Sequence, residues 1–359
     1  MNLLNKNGML VRPFTYLRES LGTEAFRMLI LLCIQIALLF VSASFSAIIL
    51  IACTAAASVL ADALAFRLYS AKDEEHFSVI MSAVQGMIIG MLIPQNFPPA
   101  TAFTAAFTVK FISRYFFNGF AYTWVNPAAL TVVILWFTGA RLFPEPTITR
   151  ELLSLKNPSQ QLLSAGVFPL HPFDSSITEA LNNSIFSLFK VSIPEGYISM
   201  LWDNGAAIPA FRFNFITLIS SIMLFGTDTI KIIIPGFFMF TYLILVRFVS
   251  PFFYDGIMFQ GDMLLALFTG GTLFISAFVL SWYGTTPCTV QGRILYGIFG
   301  GITAFFIAGA GTSSGGMVFV IILTNLFSVI VQNWENIADR RTLQKMLSEV
   351  KKTEEYDEI

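Results

Sequence analysis

Four ionisable side chains interrupt otherwise apolar sequence: Asp62, Lys110, Arg114 and Asp262. Lys110 and Arg114 stand four residues apart, so a helix places them on one face. A charge inside a bilayer points to function by default. All four also lie near enough to a span end for their heads to reach the interface, which is the structural alternative. A central acidic pair of the kind used in proton relays is absent. Outside the apolar stretches, one run holds several polar groups together: His171-Pro172-Phe173-Asp174-Ser175-Ser176-Ile177-Thr178-Glu179. Ser176, followed three residues later by Glu179, reads as a capping box that opens a helix.

Other chemistries find no support. Gly-x-Ser-x-Gly, Walker-type and dinucleotide glycine motifs are missing, so the chain has no recognisable route to ATP or NADH. The only histidines, His76 and His171, sit in polar segments and give no pair of haem ligands inside a membrane. Cys33, Cys53 and Cys288 are too scattered for an iron–sulfur or zinc site within this chain. With a net charge of −1 and no basic stripe, nothing suggests nucleic acid.

The elements that must position these residues are membrane helices. The 359 residues are 55% hydrophobic and only 12% charged, against about 25% charged in soluble domains. Repeated apolar runs long enough to cross the hydrocarbon core indicate an all-α polytopic membrane protein. Continuous rather than alternating apolarity excludes a transmembrane barrel. The runs number ten, five on each side of a polar interval from about Leu142 to Arg212. That division gives an N-terminal half (1–142), a long loop (143–212), a C-terminal half (213–334) and a charged tail (335–359), helical at first and then disordered. The first span lacks a cleavage site and is expected to stay as an anchor.

With the N-terminus inside, 15 of the 21 Lys and Arg residues fall on the inner side, which puts both termini in the cytoplasm and the long loop outside. Five helices is an odd number, so related halves would be inverted repeats, a transporter plan with the site at their interface. Gly86 and Gly90 in span three echo Gly270 and Gly271 in span eight. Glycines that merely pack membrane helices are the alternative.

Three stretches resemble one family, the D subunit of the Rnf ion-translocating electron-transport complex and its relative NqrB, from the sodium-pumping NADH:quinone oxidoreductase. The first runs from Arg114 through Asn118-Gly119-Phe120-Ala121 to Asn126-Pro127-Ala128. The second is Phe268-Thr269-Gly270-Gly271-Thr272, followed by Thr286-Pro287 and Gly292-Arg293. The third is Ser175-Ser176-Ile177-Thr178, where the family has Ser/Thr-Gly-Ala-Thr. The chain departs from the pattern there: Ser176-Ile177 replaces Gly-Ala, and Glu179 stands where a proline usually follows. A family Thr-Asp-Pro element appears as Ser281-Trp282-Tyr283.

The resemblance implies a subunit of an Rnf-type complex in a bacterial inner membrane, working with other subunits to pass electrons across the membrane and export Na⁺ or H⁺. It implies FMN esterified through its phosphate to Thr178, with Ser175 and Ser176 beside it. A helix N-terminus at that point would favour the phosphate. It further implies a second, noncovalent flavin (riboflavin), for which Asn126, Pro127, Gly270 and Gly271 are the candidate positions. Two other readings stay open: a solute channel built like the urea transporters, and a scaffold that has lost its flavin.

Overall fold

The computed structural model describes residues 20–69, 75–117, 123–145, 159–253, 259, 261–309 and 315–357. The chain is helical throughout those residues apart from short links. The glycine turn at 118–121, residues 146–158 of the long loop and most of the glycine turn after Gly309 lie outside them.

The first five helices are α1 (Leu21–Val41), α2 (Phe45–Tyr69), α3 (Glu75–Leu92), α4 (Pro99–Phe117) and α5 (Pro127–Gly139). Three short helices follow in the long loop: α6 (Ser159–Ser164), α7 (Asp174–Ser184) and α8 (Tyr197–Trp202). The second half contains α9 (Asn214–Gly226), α10 (Ile233–Ile244), α11 (Met263–Thr269), α12 (Thr272–Phe274), α13 (Val290–Ala304) and α14 (Gly316–Asp357). Helices α10, α12 and α13 each run on into a π-helical turn, at Leu245–Val249, Ile275–Val279 and Phe305–Gly309.

Four helices are long and apolar enough to cross a membrane: Leu21–Val41, Phe45–Leu68, Val290–Ala308 and Gly316–Leu347. Several shorter apolar helices stand among them. On α1, Phe26, Ile30 and Ile34 are exposed while Met28, Leu32 and Gln35 are buried. A helix apolar on its outer face as well as its inner one belongs in lipid.

Packing explains the glycines of span three. A Cβ on Gly86 would lie 2.5 Å from Ala55 Cα, and one on Gly90 2.5 Å from Ile51 Cα. Helix α3 therefore stays unbroken and uses both glycines to press against α2. Span eight differs. Helix α11 stops at Thr269, Gly271 adopts φ +69°, and α12 starts afresh at Thr272. The echo between the two pairs is thus compositional: one pair packs a helix and the other breaks one. Other pairings do recur across the halves. Helix α2 lies along α4 as α10 lies along α13, and α4 meets α5 as α13 meets α14.

The tail departs from expectation. Span ten and residues to Asp357 form one 42-residue helix, about 63 Å long at 1.5 Å per residue. That is roughly twice the hydrocarbon thickness. From Gln332 to Asp357 the sequence has neither Gly nor Pro and is rich in Glu, Lys, Arg and Leu, so nothing interrupts the helix.

Candidate functional site

The structure resolves the polar residues into three groups: a knot in the long loop, a pair of clamps on the broken helix, and an ionic cluster inside the first half.

The knot is organised by Asp174, which is fully buried. Its Oδ1 accepts from Gly196 N at 2.9 Å and Thr178 Oγ1 at 3.2 Å. Its Oδ2 accepts from Ser199 N and Ser199 Oγ, both at 2.6 Å. The Ser199 hydroxyl in turn receives His171 N at 3.0 Å. Four donors on two oxygens come close to saturating a carboxylate. Asp174 thereby ties α7 to α8, and the backbone enters α7 at Asp174, with Asp174 N donating to His171 O at 3.0 Å. The capping box expected at Ser176 does not form. The helix begins two residues earlier because Asp174 is held in place by α8, which leaves Ser175 and Ser176 exposed in the first turn.

Thr178 falls one turn further along the same face as Asp174 and is 5% exposed. An ester at this hydroxyl would remove the proton given to Asp174. It would also bring a phosphodiester, singly negative at neutral pH, against a buried carboxylate. As folded, these residues do not fit a phosphoester at Thr178.

The broken helix is clamped at two levels. At the glycine break, Asn214 Nδ2 donates to Phe268 O at 2.7 Å and Asn204 Nδ2 to the same oxygen at 3.1 Å. Carbonyls freed by the break are thus satisfied by asparagines from the end of the long loop and the start of α9. A Cβ on Gly271 would lie 2.0 Å from Phe211 Cε1, so the Phe211 ring occupies the niche beside the break. At the far end of span eight, Asn126 Nδ2 donates to Val279 O at 3.0 Å while its Oδ1 caps α5 through Ala128 N at 2.9 Å. Pro127 follows as the first residue of α5 and is buried. Gly271 and Val279 are eight residues apart along helical chain, about 12 Å. Asn126 and Pro127 therefore do not share a pocket with Gly270 and Gly271, and Asn126 spends both ends of its amide on backbone.

The third group lies between α2, α3 and α4. Arg114 Nε forms an ion pair with Asp62 Oδ1 at 3.2 Å, and Asp62 is 2% exposed. Lys110, 5% exposed, donates its ammonium to Gln85 Oε1. Neither cation snorkels to an interface; both turn into the helix bundle. Ser82 lies one turn before Gly86 on α3, and Ser58 lies three residues beyond Ala55 on α2. Ser58 and Ser82 are both buried, and their hydroxyls have no hydrogen-bond partner among the described residues. Among the described residues this cluster brings together two cations and one carboxylate. Asp262, by contrast, caps α11 through Leu265 N at 2.9 Å and accepts the Tyr197 hydroxyl. Its role is to join the loop to span eight.

Sequence reading singled out Lys110, Arg114, Asp62 and Asp262, yet missed Asp174, Gln85, Ser199, Asn204 and Asn214. Asp174 was in view only as a neighbour of the hydroxyls. Its distance from Ser199 and Gly196 along the chain gave no local signal. Asn214, at the entrance to an apolar run, was a signal that could have been read, because a buried amide there needs backbone partners.

No group of three or more His, Cys, Asp or Glu side chains able to hold a metal ion occurs among the described residues. No curated relative matches the chain. A family model described as the NQR2, RnfD, RnfE family matches residues 9–338. That span covers nearly the whole helical body, from before α1 into α14. The helical membrane architecture and this match agree, and the chain belongs to the NQR2, RnfD, RnfE family as a membrane subunit of an Rnf/Nqr-type complex.

Proposed function

We propose that this subunit couples electron transfer in its complex to the export of Na⁺ or H⁺, and that the cluster of Asp62, Gln85, Lys110 and Arg114 is where the coupling is felt. The observation that carries this reading is the buried charge: an Asp62–Arg114 pair beside a lysine whose ammonium donates to the neutral amide of Gln85. Buried charge is costly. A membrane protein keeps it where charge must respond to something.

The size of that response follows from Coulomb's law. One unit charge arriving about 10 Å from Lys110 changes its energy by roughly 1.7 kcal/mol at an effective dielectric of about 20. That shifts a proton or ion equilibrium by a factor of ten or more. Lys110 and Asp62 hold the charge that responds, and Gln85 orients the ammonium. The long loop and α8 serve to hold span eight against α9. In this reading both termini are cytoplasmic and the loop faces outward, the orientation favoured by the distribution of Lys and Arg.

Inverted membrane vesicles containing the complex test the proposal. Addition of reductant should drive uptake of ²²Na⁺ or of protons, and vesicles lacking this chain should show neither. Electron flow at the normal rate with no ion uptake would overturn it. Redox-independent solute uptake by the isolated chain in liposomes would instead support the channel reading.

A further inference from the structure

At the end of the bundle where α1 begins, a cavity of about 410 Å³ opens between the α9–α10 link, the α12–α13 link and α14. Its polar lining includes Thr229, Lys231, Ser281, Arg293 and Gln332, and no carboxylate lines it. Lys231 is exposed and has no partner among the described residues. Arg293 donates only its Nε, to Pro287 O at 3.1 Å, and keeps its terminal nitrogens for other use.

Three further charged groups stand around this lining. Arg27 reaches it at Thr229 Oγ1, 3.4 Å away. Glu24 accepts the hydroxyl of the lining residue Tyr283 at 2.6 Å. Glu335 accepts Cys288 N and Thr289 N, each at 3.0 Å. Asp228, beside Thr229 in the α9–α10 link, adds a third carboxylate nearby, so the charges around the cavity balance, but its own lining holds Lys231 and Arg293 and no carboxylate. Helices α10 and α13 begin at this end while α9 and span eight finish there, so their dipoles largely offset one another. The cations of the lining itself decide, and they favour an anion.

The rim says which kind. Ile232, next to Lys231, is 61% exposed, and Val290, at the start of α13, is 56% exposed. A free phosphate ion has no use for such a border, whereas a lipid lays its chains along it. Basic pockets between membrane helices bind anionic head groups in this way. We propose that this cavity binds the phosphate of an anionic phospholipid, with Lys231 and Arg293 on the phosphate and the acyl chains running past Ile232 and Val290. The site would fix the α9–α10 and α12–α13 links to each other and to the leaflet around them.

Native mass spectrometry of the purified full-length chain tests this, using phosphatidylglycerol, phosphatidylcholine and inorganic phosphate as separate probes. One phosphatidylglycerol should be retained with at least about fivefold preference over phosphatidylcholine, the factor equivalent to about 1 kcal/mol for one basic residue at a membrane surface. Lys231→Gln should lower that affinity by a similar factor, and Lys231→Arg should restore it. Arg293→Gln provides a second variant with the same expected loss. Equal retention of the two lipids, or an unchanged affinity in Lys231→Gln, would overturn the proposal. Complete displacement of phosphatidylglycerol by millimolar inorganic phosphate would assign the cavity to a small anion and overturn the lipid.

Discussion

Asp174 and Asp62 are both buried carboxylates, but they keep different company. Asp174 is surrounded by neutral donors from α7, α8 and the turn before it, four of them within 3.2 Å. Asp62 faces Arg114, with Lys110 one turn away and bonded to Gln85. The first arrangement fixes a loop: every donor is a backbone amide or a hydroxyl, and nothing in it is left to change. The second keeps three charged groups in the interior of a helix bundle, where their energy depends strongly on any charge nearby. Burial alone therefore does not mark a functional carboxylate. The kind and number of its partners does.

Substitutions sharpen this difference. Asp62→Asn should have the largest effect on stability, since breaking a buried ion pair from one side costs about 3–5 kcal/mol. A fall in the detergent melting temperature reports it, and an unchanged value would mean that Arg114 is already satisfied elsewhere. Asp174→Ala strands the amides of Gly196 and Ser199, at about 1–3 kcal/mol for each unsatisfied group. Cleavage of the long loop by added protease should accelerate accordingly, while ion uptake by the surviving folded complex stays normal. Thr178→Val removes one hydrogen bond out of four and should cost about 1 kcal/mol. The same position allows a direct look at modification. In denaturing gels from cells that carry a flavin transferase, the wild-type band should be dark under illumination. A fluorescent band that Thr178→Val abolishes would show that the loop opens far enough for the ester to form.

Much of the fold could be read from the chain. The all-helical membrane architecture corresponds to what the structure shows, with four long apolar helices and several shorter ones among the described residues, because hydrophobic length acts locally. The start of α7 could not be read. Ser176 and Glu179 satisfy a local capping rule, but Asp174 is held by Ser199 and Gly196, more than twenty residues away, and that contact sets the boundary. Gly86 and Gly90 looked like partners of Gly270 and Gly271 for the same reason. A composition shared by two segments does not say whether a neighbouring helix presses on the glycines, as Ala55 and Ile51 do, or an aromatic ring enters beside them, as Phe211 does. Lys110 and Arg114 were correctly placed on one face, yet their inward direction depends on Gln85 and Asp62 from two other helices.

Ions moved per electron, measured in inverted vesicles for Lys110→Met and Thr178→Val side by side, bear most directly on where the coupling resides. Lys110→Met should lower the ratio well below its wild-type value, because it removes a buried charge from the coupling cluster. Thr178→Val should leave the ratio at its wild-type value. A normal ratio in Lys110→Met together with a lost one in Thr178→Val would contradict the assignment and place the coupling in the outer loop.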